Sequence, residues 1–570
     1  MPRQCSPILV EPEVADKRAA PVRLTFLGGL GQIGRNCAAI ETEGRIVVLD
    51  CGQMFAGDDL PGVDAVLPDL SYLIDNADRV EAIIATHAHE DHIGALPYLM
   101  AHLSAPIYGS AFTLGLVQHK LKEARLLDKA QLREIKDGDR GMVGPFECEF
   151  LPVTHSIPSG NITAFHTDQG VILHSSDFKL DLTPVDGRRT DLSRIGALAW
   201  DPGIRLMLAD STNADQPGAS RSEKDVGEAL SSVIRAQEGR RVIIASFASH
   251  IHRIQQIADA AVETGRVLVT LGLSMRRNVK LARDVGILRI PDASIRDIED
   301  IDDLPPERIV VVCTGSQGEP RAALTQMSIG ESRWLKLDDN DTVVFSSHPI
   351  PGNEAAVASV RNGLARLGAK VLHSGQVDVH TSGHGKQQEL ATLHSVAVPE
   401  WFVPVHGEYA HLVAHRDLAH KMGMPEDRVV FCEDGDQIEL SDDGITHLGS
   451  IGTDRVYVDG MVGDLGNAVL GDRRVLGDDG FVSVVVHVDL EHGEILAGPD
   501  VVSRGWVEQP AVVAHETAVA DEVERDILKA LAKGEASLDK LNQITRRAAG
   551  RTVSDRTRRR PMIVPMVRVG

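Results

Sequence analysis

The nine residues at positions 86–94, THAHEDHIG, constrain the fold more than any other stretch because they hold three histidines and an aspartate. Residues 82–85, AIIA, precede them as a short apolar run that is typical of a buried strand. Residues 95–100, ALPYLM, follow as the start of a helix. The pattern predicts a strand-to-helix turn that carries metal-binding side chains, since imidazoles seldom cluster except as metal ligands.

Within this turn, two pairs of side chains can face two different points. His87 and His89 are two residues apart in an extended stretch, so they can point the same way. Asp91 and His92 are adjacent at the helix start and can face a second point. One turn could thus supply two neighbouring metal ions, whereas the alternative interpretation is an ordinary solvated loop.

Length and composition bound the class of protein. A chain of 570 residues predicts about two to four domains, and 43% hydrophobic with 25% charged residues is typical of a folded soluble protein. No apolar stretch is long enough to span a bilayer, and the N-terminal segment lacks a signal core. The six cysteines are far apart and form no C-x-x-C pair, which indicates a reducing cytoplasm. The net charge of −23 counts against nucleic acid in general, but local positive patches and bound cations decide binding at a site.

A glycine-rich turn at residues 28–34 formally contains G-x-G-x-x-G. A dinucleotide site would need a helix after it, but residues 36–41 and 45–50 resemble strands, so we exclude that function. The glycines instead predict a strand-to-strand turn beneath the active site. Asp50, at the end of the second strand, is either an ordinary turn aspartate or a carboxylate that orients the histidines.

Polar side chains also follow several later apolar runs. His155 comes after one such run, Asp177 after the next, and Asp210 after a third. Since carboxylate oxygens can serve two cations, an aspartate such as Asp177 suits a bridging position. The repeated step from strand to candidate ligand predicts a sheet sandwich whose loops gather at one edge.

From about residue 216 the pattern changes to alternating helices and strands. Strands are predicted at 241–247, 266–271, 308–313, 342–346 and 370–373, and helices at 252–261 and 354–367. This alternation predicts an α/β domain with a mostly parallel sheet. Its turns at 314–320 and 346–354 could present backbone N–H groups to phosphate, although many such turns bind nothing. The sequence then repeats the earlier pattern of candidate ligands at the ends of strands, with His380, His384 and His406. We therefore predict that the α/β block is inserted into a metal-binding domain.

Beyond residue 452 the sequence predicts a linker and a small further domain. Residues 458–471 indicate a linker or hairpin, 481–488 a strand, and a stretch near 522–532 a helix. Residues 545–560 carry seven arginines against one acid. They form either a solvated face or a surface for RNA contact or self-association. The predicted domains are an N-terminal arm (1–20), the metal-binding domain (21–215 and 378–452), the insertion (216–377), and the linker with the C-terminal domain (453–570).

These motifs resemble a known family. His87 to His92, with His155, Asp177 and His406, resemble the metallo-β-lactamase superfamily of dinuclear hydrolases. Residues 210–213, the inserted block and His384 are similar to its nucleic-acid-processing β-CASP branch. The motifs at 29–36, 247–253, 314–320, 349–354, 380–384 and 404–409 resemble bacterial ribonuclease J over roughly residues 20–570. The implied fold class is α/β: an αββα sandwich, an inserted parallel-sheet β-CASP domain and a small α+β C-terminal domain.

The resemblance implies a metal centre and residues around it. Two Zn²⁺ ions per subunit are expected, with Mn²⁺ or Mg²⁺ as supporting alternatives. The implied ligands are His87, His89 and His155 for one ion, and Asp91, His92 and His406 for the other, with Asp177 bridging both. Asp50 and Asp210 would contact the ligand side chains rather than the metal ions.

The implied reaction is hydrolysis of RNA phosphodiesters by a zinc-activated hydroxide, which leaves 5′-phosphate products. Exonuclease activity from 5′ to 3′ and endonuclease activity are both expected, in RNA maturation and decay. The catalytic residues would be His384 as general acid with Asp91 and Asp177, and the phosphate contacts would be Ser347, His380 and His384. A pocket for a 5′-monophosphate would be formed by Gly315, Ser316, Gln317, Gly318, Ser249 and Arg253.

The expected partner is RNA, preferably 5′-monophosphorylated, in the cytoplasm and away from membranes. A homodimer or homotetramer and partners in an RNA-degradation complex are also implied. Three alternatives remain open on sequence: a purely endonucleolytic β-CASP nuclease, a small-molecule metallohydrolase such as a lactonase or thioesterase, and a non-catalytic RNA-binding subunit.

Overall fold

The computed structural model describes residues 19–57, 60–301, 303–350, 352–460, 463–508, 510–534 and 537–570. The predicted N-terminal arm, residues 1–20, lies outside these residues except for its last two. The chain divides into two compact units: Met1–Met54 with Leu67–Arg455, and Phe55–Val66 with Val456–Gly570. The boundary near residue 455 lies close to the predicted one at 452. The grouping of Phe55–Val66 with the C-terminal residues differs from the prediction, which left this segment in the metal-binding domain.

The first unit contains a two-sheet sandwich. The first sheet has the spatial order Gly444–Ser450, Asp436–Ser441, Val22–Gly28, Cys37–Thr42, Arg45–Leu49, Val80–Ile84, Pro106–Gly109, Gln131–Glu134. Its pairings are antiparallel as far as Arg45–Leu49 and parallel beyond it. The second sheet has the order Arg140–Val143, Phe146–Pro152, Asn161–Thr167, Gly170–His174, Ile204–Asp210, Trp401–Val405, and its last two pairings are parallel. The short strands Leu30–Gly31 and Gly407–Glu408 pair in parallel.

Apolar side chains from both sheets form one core. Leu24 and Val47 of the first sheet and Phe165 and Leu206 of the second are fully buried in the same cluster, so the sheets pack face to face. The helices on the outer face of the second sheet are Leu192–Trp200, Gln387–Ala397 and Tyr409–Lys421. Those on the side of the first sheet are Ser71–Asp75, Glu90–Ile93, Leu96–His102 and Ala111–Glu123. The predicted αββα sandwich is confirmed.

The inserted domain is a parallel α/β domain. Its sheet has the order Ile295–Arg296, Val267–Leu271, Ile309–Cys313, Arg241–Ala245, Asp341–Phe345, Lys370–His373, and the described pairings are parallel. Its helices are Glu223–Arg235, Ile251–Glu263, Leu273–Asp284, Ala323–Ser328 and Glu354–Arg366. Strands such as Ile309–Cys313 are buried along their whole length because helices cover both faces of the sheet. The predicted strands agree with the observed ones to within two residues at each end.

The second unit is built around a small sheet. Its order is Glu494–Arg504, Phe481–Asp489, Met562–Val569, and Val482, Val484, Val486 and Val488 are fully buried on one face. The helices Ala511–Ala532 and Leu538–Thr557 contribute Val523, Ile527 and Ala548 to the same core. A further sheet has the order Gly463–Asp464, Val456–Asp459, Ala65–Leu67, Met54–Phe55.

Two predictions for this unit need correction. Residues 458–471, predicted as a linker or hairpin, do contain part of a short hairpin, but they also contain the start of a helix, Asn467–Asp478, which was not predicted. The helix predicted near 522–532 extends over Ala511–Ala532. The arginine-rich residues 545–560 lie mostly in the helix Leu538–Thr557, where Arg551 pairs with Asp526 at 2.6 Å. Among the described residues, no helix is long and apolar enough to cross a membrane.

Candidate metal centre

The candidate ligands lie where strands of the two sheets end. The turn at 86–89 follows the strand Val80–Ile84, and His89 precedes the short helix Glu90–Ile93. Asp177 and His406 follow strands of the second sheet that run parallel to the strand Ile204–Asp210 between them. Because parallel strands end at the same edge, these side chains meet there.

Close backbone approach holds the turn in place. The amide of Cys51 donates to the carbonyl oxygen of His92 at 2.8 Å. A Cβ atom on Gly52 would lie 1.6 Å from the carbonyl oxygen of Asp91, so only glycine fits there. Asp50 and His406 both have left-handed backbone angles, with φ of 58° and 51°. Such strain persists where the surrounding structure fixes it, and it is common at functional sites.

The first group of ligand atoms is compact. His87 Nε2 and His155 Nε2 each lie 3.1 Å from His89 Nδ1. Asp177 Oδ2 lies 3.6 Å from His87 Nε2 and 3.8 Å from His155 Nε2. Ligand atoms about 2.0–2.1 Å from a tetrahedral zinc ion would be roughly 3.3 Å apart, so these spacings fit one ion.

The second group shares Asp177 with the first. His92 Nε2 lies 3.2 Å from Asp177 Oδ2, and His406 Nε2 lies 3.6 Å from Asp177 Oδ1. Asp91 Oδ2 completes the group at 3.3 Å from His406 Nε2 and 3.6 Å from His92 Nε2. Each group could hold a metal ion, and Asp177 is the side chain common to both. A carboxylate in that position can bridge two cations.

The histidines on the first sheet are oriented by Asp50. Its carboxylate accepts hydrogen bonds from His92 Nδ1 at 2.7 Å and from the backbone N–H and hydroxyl of Thr86, both at 2.8 Å. The Thr86 hydroxyl is thereby left to accept from His87 Nδ1 at 3.1 Å. Both histidines therefore point their Nε2 atoms toward the centre. This geometry favours the orienting interpretation of Asp50 over that of a simple turn residue.

His155 and His406 are oriented in the same way. His155 Nδ1 donates to the carbonyl oxygen of Gly383 at 2.8 Å. His406 Nδ1 donates to the Thr212 hydroxyl, and that hydroxyl donates to Asp210 Oδ1, both at 2.7 Å. Because the Nδ1 atoms are committed to these acceptors, each Nε2 atom faces the centre as a potential ligand.

We expect Asp50→Asn to weaken metal binding by about 10–100-fold, the usual effect of losing a partner that orients a ligand. The amide cannot accept the three hydrogen bonds that the carboxylate accepts from His92 and Thr86. Competition with a metal indicator would measure the affinity. Asp78→Asn, an exposed aspartate in the same unit, is the control. An affinity equal to that of the control would contradict the orienting role.

The protonation states of the first ligand group favour the binding of a cation. Burial lowers the pKa of His87 and of His155 well below the usual value, and it lowers the pKa of His89 to about 4. Burial opposes ionisation of Asp177, but the imidazoles of His406 and His92 outweigh it and lower its pKa. Neutral imidazoles and an ionised carboxylate are the forms that bind a metal ion.

The second group carries protons that a cation would displace. Burial opposes protonation of His92 and His406, but the Asp177 carboxylate and its neighbours outweigh it. The pKa of His406 rises to about 10, and that of His92 is also raised. Metal binding here would release protons. The set of imidazoles and carboxylates, with no thiolate among them, fits zinc as a catalytic ion.

His384 lies directly against the ligands. Its ring stacks on that of His406 with centroids 5.4 Å apart and meets that of His155 edge-on at 5.0 Å. Its Nδ1 donates to Asp210 Oδ2 at 2.7 Å. Burial opposes protonation of His384, but the Asp210 carboxylate outweighs it and raises its pKa. The structure thus brings this predicted residue to the centre.

A cleft of about 1590 Å³ contains other predicted residues. His380 and His348 line it, with rings stacked 6.4 Å apart, and Thr212 and Asn213 lie on its side toward His406. The buried Nδ1 of His380 has no hydrogen-bond partner among the described residues. Ser347 is buried, at 3% exposure, and is not among the described residues that line the cleft.

Only some residues of the predicted 5′-phosphate pocket are exposed enough to contact a phosphate. Ser316 and Gln317 are buried, and the Gln317 side chain donates to the carbonyl oxygen of His348 at 2.9 Å and accepts from the N–H of Ile350 at 2.8 Å. Gly315 and Gly318 have positive φ angles of 105° and 78°. Ser249 is partly exposed before the helix Ile251–Glu263.

The structure corrects the interpretation of Arg253 as a pocket wall. Its side chain is fully buried, and its guanidinium donates to Glu223 Oε2 at 2.7 Å, Ser346 Oγ at 2.6 Å and the carbonyl oxygen of Val379 at 3.0 Å. Because the donors are committed to these acceptors, Arg253 holds elements of the insertion together and does not face a ligand.

Asn36 was not predicted from the sequence to contribute to the centre. Its side-chain amide donates to the carbonyl oxygen of Asp91 at 3.0 Å and lies 3.1 Å from His92 Nε2. A Cβ atom on Gly29 would meet Asn36 Oδ1 at 2.3 Å, so the glycine-rich turn makes room for this side chain. The sequence feature that could have indicated Asn36 is its position, as a polar residue between the glycine-rich turn and a buried strand. Thr86, Thr212 and Gly383 gave no comparable signal.

The sandwich, the shared aspartate and the inserted parallel domain define a metallo-β-lactamase-fold hydrolase of the β-CASP type. Residues 30–164 match the metallo-beta-lactamase superfamily, and residues 375–430 match the Zn-dependent metallo-hydrolase RNA specificity domain. Residues 239–364 match the ribonuclease J beta-CASP domain, and residues 468–568 the ribonuclease J C-terminal domain.

Related proteins match the sequence of this chain over nearly its whole length. Ribonuclease J of Mycolicibacterium smegmatis is 43% identical over 548 residues, covering 96% of this chain and 97% of that one. Ribonuclease J 1 of Streptococcus pyogenes is 40% identical, covering 95% and 96%, and ribonuclease J2 of Bacillus subtilis is 36% identical, covering 97% and 99%. The chain belongs to the ribonuclease J family and is a metal-dependent ribonuclease. A solved Enterococcus faecalis protein of unknown function, 15% identical with a TM-score of 0.52, covers 74% of this chain and all of its own length, and shares the fold.

Proposed function

We propose that the chain hydrolyses RNA phosphodiesters with two zinc ions, acting as a 5′-to-3′ exonuclease and as an endonuclease in RNA maturation and decay. The products would carry 5′-phosphates. The observation that carries this proposal is Asp177, whose carboxylate belongs to both ligand groups. The centre also lies beside an open cleft, lined by Thr212 and His380, which an RNA chain could enter.

The roles of the protein residues follow from their contacts. When bound, two such cations would acidify a water molecule and offset charge on the phosphate oxygens. We assign His384 as the acid that protonates the leaving 3′ oxygen, because the Asp210 carboxylate accepts from its Nδ1 and raises its pKa. Asp91 and Asp177 would keep the ligand geometry, and His380 would contact the scissile phosphate from the cleft wall. Ser347 remains a proposed phosphate contact that would need to become exposed.

Hydrolysis of 5′-labelled monophosphorylated RNA, with and without a chelator, tests the proposal. We expect release of labelled mononucleotide and its loss after chelation. Discrete internal cuts alone would favour a purely endonucleolytic enzyme, and absence of hydrolysis would overturn the proposal. Metal analysis of the active protein should find two zinc ions per chain, or manganese where zinc has been replaced.

The 5′-monophosphate pocket gives a separate prediction. Gly315, Ser316, Gln317 and Gly318 form the turn after the strand Ile309–Cys313, and Ser249 lies after the neighbouring strand. We expect Ser316→Glu to reduce the preference for 5′-monophosphate over 5′-triphosphate RNA by at least about tenfold, since an added carboxylate repels phosphate. Ser316→Ala and Ser294→Glu are the controls, and melting curves check the fold. An unchanged preference in a folded Ser316→Glu variant would rule out this pocket.

We also propose a cytoplasmic location and a homodimer or homotetramer. The five cysteines in the described residues are free and buried, which suits a reducing compartment. Light scattering of the purified chain tests the oligomeric state.

A further inference from the structure

A second cleft, of about 990 Å³, opens in the inserted domain at the carboxyl ends of the strands Val267–Leu271 and Ile309–Cys313. Ligands of open parallel sheets bind at this edge. The turn after Ile309–Cys313 contributes Thr314 and Arg321 to the second cleft, and its Gln317 bonds to His348 of the cleft at the metal centre. One turn therefore lines the second cleft and bonds to a residue of the first.

The second cleft presents a flat aromatic and cationic surface. Trp334 lines it and is 39% exposed, and the Arg333 guanidinium lies 4.6 Å from the centre of its ring. Leu273 also lines the cleft and is 85% exposed. Exposed tryptophan and arginine planes are the side chains on which unpaired nucleobases stack.

The charges of this cleft differ from those of the whole chain, whose net charge is −23. Arg276, Arg321 and Arg333 line it, against one acid, Glu331. Arg276 is already paired with Glu299 at 3.0 Å, but Arg321 is exposed and makes no ion pair within the part of the chain that the structure describes. A guanidinium without an ion-pair partner, in the same cleft as an exposed aromatic ring, suits a phosphate attached to a stacked base.

We propose that this cleft binds one nucleotide unit, with its base against the Trp334–Arg333 pair and its phosphate at Arg321. The inference deepens the proposed function and rests on it, because the expected source is a segment of the RNA substrate outside the metal centre. A free mononucleotide has the same chemistry and is the other source. The consequence is a contact that strengthens binding of long RNA without taking part in cleavage.

The experiment compares Trp334→Ala and Arg321→Ala with the wild-type protein on a 5′-monophosphorylated RNA of about 30 nucleotides and on a trinucleotide. We expect KM for the long RNA to rise about tenfold, the effect of losing one stacked base, with kcat unchanged. The trinucleotide should be cleaved equally by all proteins. Trp200→Ala, which removes a tryptophan that is 91% exposed elsewhere, is the matched control.

Two further measurements separate the outcomes. Binding of the long RNA in the presence of chelator tests the cleft even if the protein cleaves no RNA. Failure of the proposed function can therefore be distinguished from failure of the cleft to bind RNA. Quenching of tryptophan emission by adenosine monophosphate, present in the wild type and lost in Trp334→Phe, would support the cleft with a free mononucleotide as its source. Unchanged KM, RNA binding and quenching in folded Trp334→Ala and Arg321→Ala variants would overturn the proposal.

Discussion

His87→Ala should abolish hydrolysis of every RNA substrate, whereas His384→Ala should lower kcat by about 10²–10⁴-fold and leave the metal bound. His87 presents Nε2 at 3.1 Å from His89 Nδ1, inside the first ligand group. His384 Nδ1 donates to Asp210, and His384 is the acid of the proposed mechanism. Single-turnover kinetics would measure the rates, and elemental analysis the metal content.

The control for both variants is His102→Ala, because His102 is exposed at the end of the helix Leu96–His102. This variant should retain full activity and metal. Equal metal loss in His87→Ala and His384→Ala would mean that His384 is a ligand. The side chains for that arrangement are in place, because His384 also forms a candidate ligand group with Asp177, Asp210 and His406.

Glu223→Gln should lower the free energy of unfolding by about 3–5 kcal/mol, the effect of removing one partner of a buried ion pair. Glu223 is 3% exposed, and it pairs with the fully buried Arg253 at 2.7 Å and with Lys179 at 3.5 Å. The substitution leaves two buried cations short of their counter-charge. Denaturant unfolding would measure the loss, and Glu228→Gln, exposed on the same helix, is the control.

The stability that Glu223 contributes should depend on pH. Burial opposes its ionisation, but Arg253 and His250 outweigh it and hold the pKa of Glu223 well below the usual value. An unfolded glutamate titrates near pH 4.3, so the contribution is complete above that pH. It is lost as the pH falls through the lower pKa of the folded state. The difference between wild type and Glu223→Gln should be constant from about pH 6 to 8 and should shrink below about pH 4; a difference that persists at pH 2 would contradict this assignment.

The sequence predicted the ligands because each follows an apolar run. His87, His155 and Asp177 stand out as polar residues at the ends of buried strands, and the strands themselves are marked by runs such as 309–313. The parallel sheet of the insertion was predictable for the same reason. These features depend on residues that are close together in the chain, so the sequence alone is enough to predict them.

Other features depend on partners distant in the chain. Arg253 follows a polar stretch and resembles a surface residue, but Glu223, 30 residues earlier, and Val379, 126 residues later, make it part of the core. Asn36 contributes through a backbone carbonyl 55 residues away. The first half of the helix Ala511–Ala532, rich in alanine and valine, lacks the amphipathic pattern that marked its second half.

The contacts of Arg253 have a consequence for chimaeric enzymes. Its guanidinium meets Glu223 near the point where the insertion begins and the carbonyl oxygen of Val379 just after it ends. Glu223 and Arg253 both lie within residues 216–377, so a transplanted insertion carries this ion pair with it. The acceptor on the recipient side is a backbone atom, which any residue at position 379 would supply. An exchanged insertion would also need a lysine at position 179 of the recipient sandwich, because Glu223 pairs with Lys179 across the same boundary at 3.5 Å.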